Sequence, residues 1–496
     1  LAPDGITLQP SQQLLIGVYF ALWSVFALLG VRRLWMIWLY RRGRHRRYAR
    51  HDWETLPRVT VQLPVYNERY VIRRLIRAVA ALDYPRDRLE IQVLDDSDDG
   101  TVETAAEEVE RLRAEGLDIV HLRRPSRAGY KAGALDWGMR RAKGDFLLIL
   151  DADFVPRPEL LKAIVPYFGD ERIGMVQVRW DHLNADYSVL SRVQAISLDG
   201  HFVVEHEARA KNGLFFNFNG TAGMWRKTCI ADAGGWHHDT LTEDLDLSYR
   251  AQLAGWNFVF LRDVTCPAEL PVDMRAYKSQ QFRWVKGSVQ VAKKLLPRIW
   301  RSDLSLAKKI ESSLHLAHNV SYLFVLLLSL LVYPAVLVRF ASGWFTTPAA
   351  EIPLFFFATI SVVLFYGTAI AGTGRSWLKS VRYFPALMSV AIGLSVNNTK
   401  AILEGLFGRQ TPFHRTPKFD ILGRRGTARG KAYRGMRSAT TIVELAFAAY
   451  FAAIEVFALR NGLAWATPFV LLFLCGYLYV GVLSADLPRW RLRRSG

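Results

Sequence analysis

The chain reads as an α/β protein: a doubly wound, mostly parallel sheet inserted between apolar helices long enough to cross a membrane. Three observations carry that expectation. Short apolar runs alternate with amphipathic helical stretches from Arg58 to Leu150, the pattern of a parallel sheet covered by helices. One run, Phe146-Leu-Leu-Ile-Leu150, ends in Asp151-Ala-Asp153, which puts two carboxylates where open α/β sheets bind their ligands. Long apolar stretches with basic flanks lie on either side of this region, as membrane spans do.

Residues 1–13 carry no Lys or Arg, and Leu14 to Tyr40 is apolar except for Arg32 and Arg33. The stretch is long enough to span a bilayer. It lacks the basic start and small-residue cleavage site of a signal peptide, so it reads as a retained helix. Arg41-Arg42-Gly-Arg44-His-Arg46-Arg47 follows, which places the N-terminus outside and the next segment in the cytoplasm. Three parts result: 1–50, a membrane helix with its basic flank; 51–300, a soluble domain; and 301–496, a second membrane region.

Within the soluble part, Arg58 to Leu63 is a strand that runs into Pro64-Val-Tyr66-Asn67-Glu68. Val71 to Leu82 has helical spacing, and Glu90 to Leu94 is a second strand ending in Asp95-Asp96-Ser-Asp-Asp-Gly100. A charged amphipathic helix from Thr101 to Glu115, a strand from Asp118 to Leu122 and a helix from Lys131 to Arg141 lead to the Asp-x-Asp strand. No Gly-x-Gly-x-x-Gly turn follows the first strand, which argues against a dinucleotide-binding oxidoreductase.

Leu314–Val338, Pro353–Gly372, Thr441–Leu459 and Leu463–Leu483 are further apolar candidates, while Phe384–Val396 is too short for an ordinary span. Treating that short segment as interfacial keeps the basic loop 409–437 inside, together with Arg489-Trp-Arg491-Leu-Arg493-Arg494. Five spans satisfy the positive-inside rule. The formal charge of +19 and a pI near 9.9 point to phosphate-rich ligands or anionic lipid. The arginines cluster beside apolar runs, which argues against nucleic acid. Cys229, Cys266 and Cys475 are too far apart in sequence for a disulfide framework or a zinc site.

Four clusters fall on the soluble domain: Asp95-Asp96, Asp151 with Asp153, Thr242-Glu243-Asp244, and Gln280-Gln-Phe-Arg283-Trp284. Each has an ordinary reading. Paired aspartates solvate turns, Thr-Glu-Asp caps helices, and a tryptophan anchors at an interface. Asp151 and Asp153 also suit Mg²⁺ or Mn²⁺, which take one or two carboxylates plus substrate phosphates. An aspartyl-phosphate enzyme would use Asp-x-Asp differently, but Phe154-Val155-Pro156 follows with no nearby Ser or Thr.

In this order and with these gaps the clusters resemble the signature of membrane-integrated family 2 glycosyltransferases, which include cellulose, hyaluronan and mannan synthases and ceramide glucosyltransferase. The resemblance is closest to the cellulose-synthase-like mannan and glucan synthases. It is carried by Gln62-Leu-Pro-Val-Tyr-Asn-Glu68, Ile91-Gln-Val-Leu-Asp-Asp-Ser97, Gly129-Tyr-Lys-Ala-Gly-Ala-Leu135, Asn184-Ala-Asp186, Phe218-Asn-Gly-Thr-Ala-Gly223 and Gly234-Gly-Trp236. It implies a GT-A-like domain and an inverting transfer from a nucleotide sugar.

The resemblance also implies roles. Asp244 is expected as the catalytic base, with Glu243 beside it, and Asp151 and Asp153 as holders of Mg²⁺ or Mn²⁺. Tyr66, Glu68, Asp95 or Asp96, Lys131, Asp151 and Arg283 are expected around the nucleotide sugar. Gln280, Trp284 and Thr221 are expected at the acceptor, where the indole stacks on a sugar face. His237 and His238 are adjacent and read as surface or acceptor-side residues. Phe413-His-Arg-Thr416-Pro-Lys418 resembles the Phe-x-Val-Thr-x-Lys gating loop of cellulose synthase, with Arg415 in place of the Val; the ordinary reading is a basic loop on lipid. Trp344, Tyr366, Trp377 and Tyr450 suit a sugar-lined channel as well as an interface.

The expected activity is a processive hexosyltransferase in the plasma membrane that polymerises UDP-glucose or GDP-mannose into a β-linked, β-1,4 glycan and passes it across the bilayer. Its partners are then the nucleotide sugar, the growing glycan and membrane lipid. The alternative is transfer of a single sugar to a lipid acceptor. A non-catalytic membrane protein that binds nucleotides is disfavoured by the intact carboxylate set.

Overall fold

The computed structural model describes residues 8–342, 351–409, 415–427, 431 and 438–485. Seven strands form one sheet: Val59–Val65 (β1), Leu89–Asp95 (β2), Ile119–Leu122 (β3), Phe146–Ile149 (β4), Ile173–His182 (β5), Gly223–Arg226 (β6) and Asn257–Ala268 (β7). Their order is β3-β2-β1-β4-β6-β5-β7. β1 runs parallel to β2 and β4, whereas β6 is antiparallel to β4 and β5. The sheet is therefore mixed. β6 reverses because the chain re-enters beside the carboxyl end of β4, where Gly223 pairs with Ile149.

Both faces of β1 and β2 are covered, so the polar as well as the apolar side chains along them are buried. Val59, Val61, Leu63 and Val65 pack with Leu75 and Val79 of helix Ile72–Ala80 and with Val109 and Leu112 of helix Thr101–Ala114. On the other face, Leu147 and Ile149 pack with Leu135 of helix Tyr130–Met139 and with Trp225 and Phe260. The polar side chains buried in these strands pair with one another. Thr60 Oγ1 donates to Glu90 Oε2 at 2.6 Å and Gln62 Nε2 to Gln92 Oε1 at 3.1 Å, as buried polar groups require. Strand order turns between β1 and β4, and the crevice outside their carboxyl ends is where such sheets place ligands.

Among the described residues, four stretches are long and apolar enough to cross a membrane: Pro10–Gly43, Leu306–Ala341, Thr440–Arg460 and Ala464–Ser484. Glu351–Gly372 is a further apolar helix. Trp377–Gly393 and Ser395–Leu406 form a pair bent by 42°, which counts as a fifth span if taken as one. These four to five apolar helices mark a multi-pass membrane protein. Phe384–Gly393, at the segment expected to be interfacial, packs on the last apolar helix, and a Cβ on Gly393 would sit 2.3 Å from the Gly476 carbonyl oxygen. Only glycine allows backbones this close.

The sheet is joined to the membrane helices through the long helix Met274–Arg301, whose Val285 and Val289 pack against Ala401 and Ile402. Buried ion pairs reinforce the junction: Lys278 with Glu444 at 2.6 Å, Lys286 with Glu404 at 3.1 Å, and Arg209 with Glu311 at 3.0 Å.

Candidate active site

The crevice at the carboxyl ends of β1 and β4 is floored by the segments that leave those strands. Tyr66 and Glu68 line it after β1, and the Arg127 guanidinium stacks 3.3 Å from the centre of the Tyr66 ring. Of the two aspartates at the end of β2, Asp96 lines the crevice and Asp95 does not. Asp95 accepts from Ser97 N at 2.8 Å and from His121 Nε2 at 2.9 Å. Burial works against its charge, but those hydrogen bonds outweigh it and hold the carboxyl below its ordinary value. Asp96 accepts from Arg124 Nε at 2.7 Å and Nη2 at 2.6 Å.

Asp151 and Asp153 follow β4 directly. The Asp151 amide donates to Thr221 Oγ1 at 2.8 Å, which makes the buried Thr221 a support behind the crevice rather than part of its lining. Lys131 Nζ donates to Asp151 Oδ1 and, at 2.8 Å, to the Gly220 carbonyl. Burial opposes the Lys131 charge, yet Asp151, Glu243 and Asp244 together raise its pKa. Lys418 pairs with Asp153 from the other side. Each carboxylate of the Asp-x-Asp therefore already faces a positive charge. Two such oxygens aimed into a polar crevice are a donor set suited to a hard divalent cation.

The loop that brings Lys418 enters from the membrane region. Arg283 Nη2 donates to Thr416 Oγ1 at 2.9 Å, Arg415 lies 3.0 Å from Glu68, and the Phe419 amide donates to Glu269 Oε1 at 2.8 Å. Burial raises the Glu68 carboxyl to about 8, more than Arg415 and Lys418 lower it. Phe413 lies outside the described residues. With these side chains in place the crevice encloses about 210 Å³, below the ~300–1,000 Å³ of typical small-molecule sites.

Glu243 and Asp244 occupy the first turn of helix Glu243–Leu253 and line the same crevice as Asp151. Asp244 Oδ1 accepts the Leu245 amide at 2.8 Å. Burial, then the neighbouring Glu243, pushes the Asp244 carboxyl up to about 7, and burial likewise raises Glu243. A base tuned near neutrality suits proton abstraction at physiological pH. Gly220 faces Asp244 with a φ of 81°, and a Cβ there would sit 3.0 Å from Asp244 Oδ2. Gln280, Arg283 and Trp284, on helix Met274–Arg301, close the membrane side.

The structure thus gathers every expected site residue around one crevice, except Asp95, Thr221 and the undescribed Phe413. His237 meets Asp239 and Asp246 closely enough to suggest a metal centre. Lys294 occupies it instead: its Nζ lies 3.1 Å from His237 Nδ1, 2.8 Å from Asp239 and 3.0 Å from Asp246. Sequence reasoning did not single out Trp180, His182, Asn219, Arg127 or Glu269, all of which line the crevice. Asn219 lies inside a quoted motif, so its neighbour Thr221 was the nearest available signal.

An Asp-x-Asp at the end of β4, faced by a carboxylate on the first turn of helix Glu243–Leu253 in a mixed sheet, defines a GT-A-like glycosyltransferase. Residues 57–287 match the family described as Glycosyltransferase like family 2. The chain is 36% identical over 418 residues to glucomannan 4-beta-mannosyltransferase 2 of Arabidopsis thaliana, covering 80% of this chain and 74% of that one. It is 38% identical over 363 residues to glucomannan 4-beta-mannosyltransferase 1 of Oryza sativa subsp. japonica, covering 71% and 66%. The protein belongs to the family 2 glycosyltransferases and is a hexosyltransferase of the cellulose-synthase-like kind. Its fold is similar to that of a mannosyltransferase from Pyrobaculum calidifontis in complex with GDP-Man and Mn²⁺, at a TM-score of 0.54 and 20% identity, covering 80% of this chain and 100% of that one.

Proposed function

We propose that the protein is a processive, inverting β-1,4-mannosyltransferase that uses GDP-mannose and passes its glycan through the membrane helices. The observation that carries this reading is a single crevice lined together by Asp151, Asp153, Lys131, Asp244 and Trp284. The mannosyl activity named for the curated relatives supports mannose over glucose as the donor sugar.

Asp244 is the base. Its carboxylate takes the proton of the acceptor hydroxyl as that oxygen bonds to the donor's C1 on the face opposite the departing diphosphate. The C1–O bond to phosphate breaks, and the nucleoside diphosphate leaves with the electron pair. Lys131 and Arg283 hold the diphosphate oxygens by charge-assisted hydrogen bonds. Asp151 and Asp153 would hold Mn²⁺ or Mg²⁺, which when bound neutralises charge developing on the leaving group. Tyr66, Arg127 and Asp96 receive the nucleotide base and ribose. Trp284 and Gln280 hold the acceptor end. Thr416 and Lys418 swing off their present partners to admit the donor and then close on its phosphates. The active face is cytoplasmic, in the plasma membrane, where cytosolic donors reach it.

The test is incubation of purified protein with radiolabelled GDP-mannose or UDP-glucose and Mn²⁺ or Mg²⁺, followed by sizing and digestion. A long product made from GDP-mannose and cleaved by endo-β-1,4-mannanase is expected. A long glucanase-sensitive product from UDP-glucose would replace the sugar. A small organic-soluble product formed only with added lipid would overturn polymerisation.

A further inference from the structure

The crevice carries one arginine to which the chemistry at Asp151 and Asp244 gives no part. Arg127 lines it beside Tyr66, and its guanidinium lies 3.3 Å from the centre of the Tyr66 ring and 5.0 Å from that of Tyr130. Arg124 holds the loop that presents it. Arg124 Nη1 donates to the Ala128 carbonyl at 2.6 Å and Nη2 to the Tyr130 carbonyl at 2.7 Å, while Nε and Nη2 grip Asp96. The Tyr130 amide closes a turn on the Arg127 carbonyl at 3.0 Å. Gly129 and Tyr130 have φ of 70° and 50°, a conformation that glycine takes freely and tyrosine does not. Backbone strain of this kind concentrates at ligand sites.

We infer that Arg127 selects the base of the nucleotide sugar, pairing its guanidinium fork with the adjacent N7 and O6 acceptors of guanine. The inference rests on the nucleotide-sugar reading above and names the base.

The sheet sets where a base lies. β4, β1 and β2 are neighbours in that order. A donor whose diphosphate meets the groups after β4 extends its nucleoside toward the ends of β1 and β2, within two strand spacings or about 10 Å. Tyr66 follows β1 and Asp96 follows β2, so both stand at that end.

A guanidinium and a nucleobase are both flat π systems that stack on an aromatic face. Arg127 therefore covers the surface of Tyr66 that a base takes. A base entering there moves the guanidinium from the ring face to the rim of the base, where its donors lie in the base plane.

The fork then discriminates. It offers two parallel N–H donors. Of guanine, adenine and uracil, only guanine sets two acceptors side by side on one edge. Adenine N7 adjoins the N6 amino donor, and uracil O4 has a C–H on one side and the N3 donor on the other. Lysine, a point charge, cannot read this difference.

The test uses the full chain in lipid nanodiscs with Mn²⁺ and reads equilibrium binding of GDP, UDP, ADP and CDP by titration calorimetry. Wild type is expected to bind GDP most tightly. Arg127→Ala should weaken GDP about ten- to hundredfold, the discrimination of one bidentate arginine–guanine pair, and UDP by less than about threefold. The thermal midpoint should stay at the wild-type value, and Arg127→Lys should not restore GDP. The atomic probe is 7-deaza-GDP, which lacks the N7 lone pair. It should bind wild type about five- to tenfold more weakly than GDP, the size of one lost hydrogen bond, and bind Arg127→Ala as GDP does.

Equal losses for GDP and UDP in Arg127→Ala would make the contact one to phosphate and overturn the inference. So would a wild type that prefers another nucleotide, or one that binds 7-deaza-GDP as tightly as GDP. Selective GDP binding that is lost in Arg127→Ala, in a protein that transfers no mannose, supports the base reader while overturning mannosyl transfer. Transfer from GDP-mannose with a nucleotide preference untouched by Arg127→Ala overturns the base reader and leaves the transfer standing.

Discussion

The two sides of the crevice are held in different ways. The donor floor is held by the sheet: Tyr66, Asp96 and Asp151 leave the ends of three adjacent parallel strands, and backbone pairing sets their spacing. The membrane side is held by charged side chains from segments far apart in sequence, such as Lys278 with Glu444 and Arg375 with Asp199. A floor built on strands tolerates the loss of a single side chain. A wall built on buried ion pairs does not, because removing one partner leaves the other charge buried and unpaired.

Replacing the base should break activity while sparing both sides. Asp244→Asn is expected to lower kcat by about 10³–10⁴-fold, with donor affinity by equilibrium titration unchanged; residual turnover near wild type would remove Asp244 from its role. Next comes Glu444→Ala, which should cost about 3–5 kcal/mol as a fall in the unfolding midpoint, with Lys278→Met/Glu444→Leu recovering most of it. Its sheet-side counterpart, Asp118→Ala, breaks half-exposed pairs with Arg58 and Lys143 and should cost at most about 1 kcal/mol. Equal losses in the two variants would erase the contrast.

A smaller effect is expected for Lys418→Gln, which should raise the donor KM about tenfold, as for one charge-assisted hydrogen bond. The finest probe is pH. As the proposed base Asp244 works ionised, and burial, then Glu243, pushes its carboxyl up to about 7, so kcat/KM should fall as pH drops through that value. Glu243 raises Asp244 by like-charge repulsion; Glu243→Gln should therefore move the acid limb to lower pH. A limb that stays in place would assign it to another group.

The same contrast explains what was legible in the sequence. β1, β2 and β4 are buried almost throughout and rich in apolar residues, so their ends, and the carboxylates there, could be placed by pattern. β5 escapes this reading because Arg179, Asp181 and His182 interrupt it where it turns toward the site. The clusters at Asp151, Asp244 and Gln280–Trp284 were legible as motifs. His182 and Asn219, which line the same crevice, were not, since their contacts are with Asp199 and His201, partners that no local window contains. Asp95 and Asp96 could not be ranked until His121 and Arg124 showed which way each turns.

The ion pair between Arg375, just beyond helix Glu351–Gly372, and the buried Asp199 of the sheet domain bears on modularity. Cutting out the sheet domain alone would keep the strand ends and Asp244 but strip Arg375 from Asp199, leaving a buried carboxylate without that partner. Chimaeras that exchange sheet domains between synthases inherit the same difficulty, because each domain would meet foreign membrane helices at its wall. Successful grafts should be those that move the Arg375 turn together with the sheet.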